Sequence, residues 1–93
     1  MIKTLLKGIK MDKRVGFVGI IISDRINAAE QVNKILSEFG KSIVVRTGVP
    51  DVGDSSSVIT LVIKATTDEL GALTGKLGAI EGVSVKSMLA TVK

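Results

Sequence analysis

The sequence holds no cysteine, histidine, tryptophan or tyrosine, and only 1 proline and 2 phenylalanines in 93 residues. Without cysteine there is no disulfide or thiolate chemistry. Without histidine as well, nickel, copper and zinc lose their usual ligands, and only carboxylate sites for hard cations remain. No metal or cofactor is expected. No serine–histidine or cysteine–histidine pair can generate a nucleophile, and the scattered carboxylates have no spacing that marks an acid–base couple. These gaps argue against an enzyme. The shortage of aromatics argues against single-stranded RNA recognition, which stacks bases on sheet aromatics. Phe17 alone falls on an expected strand, and Phe39 belongs to a helix. No apolar run approaches the roughly 20 residues of a membrane span. Lysines precede the apolar stretch 15–22, but no small-residue cleavage site follows it, so a secretory signal is not expected. The expected location is cytoplasmic.

What is present reads as one globular domain: the chain is 45% hydrophobic and 24% charged, too apolar for disorder and long enough for a single core. The net charge of +4 is unevenly placed. Residues 1–14 carry Lys3, Lys7, Lys10, Lys13 and Arg14 against Asp12, five minus one, whereas residues 15–93 hold eight basic and eight acidic residues. The folded part is neutral, and a nucleic-acid binder would carry its basic face on the domain itself. Direct nucleic-acid binding is therefore not expected. Residues 1–12 read as an N-terminal extension ahead of a domain at 13–93. Ile2, Leu5, Leu6 and Ile9 would form an amphipathic turn too short to be stable alone, so a loosely held extension is favoured over a membrane or partner anchor.

Apolar spacing sets the order of elements. Residues 15–22 form a continuous apolar run, the mark of a central strand. Asp24 or Asn27 can cap the following helix, Asn27 with Glu30 as a capping box, and Ile26, Ala29, Val32, Leu36 and Phe39 form its expected buried face up to Gly40. Residues 42–48 read as a second strand, 49–56 as a loop dense in turn residues, and 57–65 as a third strand. Thr66 and Glu69 make a capping box ahead of a second helix with Leu70, Leu73, Leu77 and Ile80 on one face. Residues 83–92 are the last strand. Two interleaved β-α-β halves give a ferredoxin-like βαββαβ sandwich of the α+β class, with two helices on one face of an antiparallel sheet. The first strand is apolar at both parities, although a sheet open to water should alternate. A homodimer or higher homo-oligomer, burying the open sheet face, is the expected answer.

Three stretches are candidates for a site. Arg46-Thr-Gly48-Val-Pro50 sets a guanidinium at a strand end beside a glycine, suited to a carboxylate or phosphate; the alternative is a surface pair with an acid such as Glu81 or Asp51. Ser23-Asp24-Arg25 lies at the first strand–helix junction, where capping explains it equally well. A small anion or carboxylate is the expected ligand of these residues. Gly71, Gly75 and Gly78 form a separate stripe on the second helix. Each mid-helix glycine costs roughly 1 kcal/mol, so a closely packed second helix or a ligand is expected against the bare backbone. Gly71 to Lys76 is one residue short of a phosphate-binding loop, and Leu77 stands where a hydroxyl must hold magnesium.

The run from Gly71-Ala-Leu-Thr-Gly-Lys-Leu-Gly through Ile80, Gly82-Val and Val85-Lys86 resembles the iron-only hydrogenase system regulator family. So do Arg46-x-Gly-x-Pro50 and the Asp24-Arg25 junction leading to Gln31-Val-Asn, and the match spans about residues 13 to 90. The resemblance implies a small ACT-like protein, similar in fold to the C-terminal domain of nickel-responsive repressors. It implies a non-enzymatic regulator that oligomerises and senses a small ligand or docks on a partner, in the expression or assembly of a hydrogenase. A ligand-free structural or assembly subunit is the alternative. ACT amino-acid sensors carry Asp-x-Pro-Gly-x-Leu at the first strand–helix turn, whereas Asp24 is followed by Arg25-Ile-Asn-Ala, so an amino-acid ligand is not implied. The histidine and cysteine ligands of the nickel repressors are missing too.

Overall fold

The computed structural model describes residues 12–91. The extension expected over residues 1–12 lies, up to residue 11, outside the described residues. The elements are β1 (Arg14–Ile22), α1 (Arg25–Glu38), β2 (Ile43–Gly53), β3 (Ser56–Ala65), α2 (Thr67–Gly78) and β4 (Val83–Leu89). The sheet order is β2-β3-β1-β4 with every pair antiparallel, the βαββαβ topology read from the sequence.

The period-2 alternation of the strands sorts the sheet into two faces. Val18, Ile20 and Ile22 of β1 and Ile59, Leu61, Ile63 and Ala65 of β3 point to the helices and are buried. α1 closes over them with Ala28, Val32 and Leu36, and α2 with Leu73 and Leu77, joined by Ile80 just past its end. Removing one such aliphatic side chain from water stabilises the fold by about 1.5–3 kcal/mol. The apolar face read for α2 is the face it buries. That of α1 holds at Val32 and Leu36, with Phe39 partly buried, but not in the first turn, where Ile26 is exposed and Ala28, not Ala29, is buried.

Asp24 sets the start of α1. It is the N-cap, and its carboxylate accepts from the Asn27 backbone N–H at 3.4 Å and from Asn27 Nδ2 at 2.6 Å. Asn27 is thus already inside the helix, and the expected Asn27–Glu30 box does not form. The Thr66–Glu69 box does: Glu69 N donates to Thr66 Oγ1 at 3.1 Å and Thr66 N to Glu69 Oε1 at 2.8 Å. Gly40 follows the α1 cap residue Phe39 as expected, but the chain enters a 3₁₀ turn there. A positive-φ glycine follows the second helix instead, Gly82 with φ 81° between α2 and β4.

Residues 49–56 are not a loop. β2 continues to Gly53, and a two-residue turn at Asp54 (φ 53°) and Ser55 (φ 62°) returns directly into β3. Two successive positive φ angles are the signature of the type I′ hairpin turn. A register shift between Val49 and Gly53 bends the arm, and Asp51 Oδ1 accepts from the Gly53 N–H at 2.9 Å. The bent arm folds back on α1, where the Arg25 N–H donates to the Ser55 carbonyl at 3.0 Å. β4 ends at Leu89, short of the expected 83–92, although Ala90 N still bonds Val15 O at 2.8 Å.

The outer face of the sheet carries no helix. Its residues fall into rows across the four strands: Val45, Val62, Phe17 and Met88 in one, Thr47, Thr60, Gly19 and Lys86 in the next, Val49, Val58, Ile21 and Ser84 in a third. The Thr47 and Thr60 hydroxyls meet at 2.5 Å in the middle row. Val15, Phe17, Ile21, Val45, Val49, Val62 and Met88 are all exposed there.

Candidate functional site

Two recesses flank the start of α1, and the residues singled out in the sequence divide between them. Arg25, Arg46 and Gly48 come together in an open cleft of about 250 Å³ between α1 and the β2–β3 hairpin. Ser23 and Asp24 do not join them. They line a second recess with Asn27, Gln31, Glu81 and Gly82, between the β1–α1 and α2–β4 turns. Ser23 is spent on that junction: its N–H and its hydroxyl both donate to the Gly82 carbonyl, at 2.8 and 2.9 Å. A Cβ on Gly82 would lie 3.1 Å from Ser23 Oγ, so the bare glycine is what lets the two turns meet. Asp24 is spent on the helix cap.

In the cleft, sheet parity sets each side chain. Arg46 stands opposite Leu61 and Gly48 opposite Ile59, so both belong to the helix side of the sheet. β2 is an edge strand, and α1 covers only part of it, so Arg46 reaches the helix from the side. Its Nη2 donates to Asn33 Oδ1 at 2.5 Å. Asn33 was not singled out from the sequence, yet Arg25, Ala29 and Asn33 are spaced by four and share one helix face. The rest of the wall is largely apolar, with Ile22, Ala29, Pro50 and Ile59, and Ser57 adds one hydroxyl.

The two arginines differ in what they already hold. Arg25 donates through Nη1 to the Pro50 carbonyl and lies 3.6 Å from Asp51 Oδ2. It ties the hairpin arm to the helix. Arg46 has no carboxylate within 4.0 Å among the described residues, so neither of the acids expected as its surface partner, Glu81 or Asp51, pairs with it. Its one partner is a neutral amide, and most of its fork is free. A guanidinium in that state can bind a carboxylate through two parallel N–H bonds.

The glycine stripe lies elsewhere. Gly71, Gly75 and Gly78 are exposed, and among the described residues no atom beyond their chain neighbours and the helix's own nearby backbone comes within 4 Å of where a Cβ would stand on any of them. The closely packed second helix expected there is not α1. The two helices touch through Lys76, which lies 3.4 Å from Glu38 and 5.6 Å from the centre of the Phe39 ring. Among the described residues there is no cluster of three acidic side chains that could hold a metal. No helix among them is long and apolar enough to cross a membrane.

The family described as "Iron-only hydrogenase system regulator, putative" (TM1266-like) matches residues 14–87. The structure of uncharacterized protein TM1266 from Thermotoga maritima is similar to this chain at 40% identity and a TM-score of 0.80, over 85% of this chain and 99% of that one. The ACT domain of GTP pyrophosphokinase from Chlorobium tepidum aligns with a TM-score of 0.69 at 23% identity, over 82% and 99% of the two chains. The C-terminal domain of the MgtC protein from Mycobacterium tuberculosis aligns at 0.59 and 16%, over 85% and 89%. These last two show the fold alone, which is ACT-like. No curated protein matches the chain.

Proposed function

This chain belongs to the iron-only hydrogenase system regulator family, and from that membership we propose that it is a non-enzymatic regulatory protein. It works as a homo-oligomer and senses a small anion or carboxylate in the cleft between α1 and the hairpin. The observation that carries the reading is Arg46: a guanidinium whose only partner among the described residues is the Asn33 amide, set at the mouth of a largely apolar cleft. A fixed cation with free N–H groups is a means of holding an anion selectively, and the cleft is the size of a small ligand.

Self-association rests on the bare face of the sheet. Seven exposed apolar side chains lie on it, four of them side by side in one row. Eight basic and eight acidic residues over 15–93 leave a second copy no net charge to oppose its approach. A family whose described role is regulation of a hydrogenase system makes control of that system's expression or assembly the process in which the ligand would be read. The domain at 13–93 is the sensing unit, and the residues before it are an extension to it.

Arg46→Ala tests the site. In a thermal-shift screen over small carboxylates and inorganic anions, the wild-type protein should gain stability with at least one of them, and the variant should lose that response while its ligand-free melting point stays nearly unchanged. A ligand response kept in full by the variant would make Arg46 a structural residue and remove the basis of the reading.

A further inference from the structure

Resting on that reading of the cleft, we infer its ligand class: a small branched monocarboxylate with no amino group, such as a short α-keto acid or fatty acid. Three features of the cleft converge on this class. The first is charge. Arg25 is balanced by Asp51 and tied to the Pro50 carbonyl, while Arg46 holds only a neutral amide. The cleft therefore presents one uncompensated positive charge and is matched by one negative charge. A phosphate monoester, with about 1.5 to 2 negative charges at neutral pH, would be left undercompensated.

The second is the sign of everything polar on the wall. The charged lining residues are Arg25 and Arg46, and no carboxylate lines the cleft among the described residues. An α-amino acid would place its ammonium within a few ångströms of its own carboxylate, and so beside the guanidinium that holds it. With like charge alongside, and the Asp51 carboxylate at the rim already paired with Arg25, the ammonium loses water without a replacement. A keto oxygen or a methylene at the same position meets no such penalty, and the keto oxygen can accept from Arg46 or the Ser57 hydroxyl. The third is the body of the cleft. Ile22, Ala29, Pro50 and Ile59 offer an aliphatic wall, and about 250 Å³ suits a branched chain of a few carbons.

The test uses three compounds with one carbon skeleton, α-ketoisocaproate, isocaproate and L-leucine, together with inorganic phosphate. Each is titrated calorimetrically into the full-length wild-type protein, with Arg46→Gln as the control that keeps the stem and removes the charge. The two acids without an amino group should bind at least about tenfold more tightly than L-leucine, the scale set by leaving one polar group unpaired, and Arg46→Gln should abolish their binding. Tighter binding of L-leucine or phosphate, lost in Arg46→Gln, would overturn the ligand class and leave the anion site standing. Silence from all four in the wild-type protein would overturn the site itself.

Discussion

Ile20 and Ile21 are neighbours on one strand, identical in chemistry, yet Ile20 is 0% exposed and Ile21 52% exposed. The same contrast runs through the whole of β1. Val18, Ile20 and Ile22 sink into the helix side, while Val15, Phe17 and Ile21 stand on a bare face. The apolar residues of the helix side are explained by the core they build. Those of the outer face are only about half covered by the fold of one chain, Ile21 staying 52% exposed. The rest of their apolar surface meets water and adds no burial energy until something else covers it. Under the proposed self-association, the two faces separate what folds the chain from what would join it to a second copy, and each can be perturbed without the other.

The largest contrast should come from the two isoleucines. Ile20→Ala should cost about 2–5 kcal/mol, the range for an aliphatic truncation in a closed core, read by urea denaturation. Ile21→Ala should cost under about 1 kcal/mol at high dilution and show its effect as concentration-dependent stability, since an assembly stabilises by mass action. Equal costs at every concentration would dissolve the distinction between the faces.

The glycines of β1 repeat the comparison with the opposite change in size. Gly16 belongs to the helix side and is buried, and an added Cβ would stand 2.2 Å from the Met88 carbonyl oxygen and 2.7 Å from Leu89 Cδ2. Gly19 belongs to the outer face, with its nearest neighbour, the Lys86 carbonyl oxygen, at 4.0 Å. Gly16→Ala must push β4 away and should cost about 1–3 kcal/mol by overpacking. Gly19→Ala should leave a dilute protein as stable as before or slightly more so, because glycine is a poor strand residue. Thermal melts of the two variants, side by side, decide this.

The core was legible because its signals are periodic. Leu70, Leu73, Leu77 and Ile80 repeat at helical spacing, β1 is apolar throughout, and Thr66 with Glu69 announces the helix between β3 and β4. The hairpin was not legible, because Pro50, Gly53 and Asp54 are turn formers individually. Only the pairing of Gly53 with Ser56 around two positive φ angles makes them an arm. Ile26 misled for a related reason: it is apolar, but the buried face of the helix is set by Ala28, Val32 and Leu36, and two residues before Ala28 the side chain points outward. Arg46 could be named from its neighbours in sequence. Its partner Asn33 could not, since that contact depends on where the edge strand passes the helix. The separation of Ser23 and Asp24 from Arg25 also needed coordinates. Successive residues at a strand–helix junction point into different recesses.

The assignment of the outer face to a second copy of this chain is tested most directly by light scattering on the wild-type protein and on Phe17→Lys, each at micromolar concentration. Phe17 sits in the row with Val45, Val62 and Met88 and is 52% exposed, so a lysine there disturbs no core contact. The wild-type protein should scatter with at least twice the 9.7 kDa chain mass, and the variant should fall to that of a single chain with an unchanged circular dichroism spectrum. A wild-type protein that scatters as one 9.7 kDa chain, or a variant that keeps the full assembly, would contradict the account.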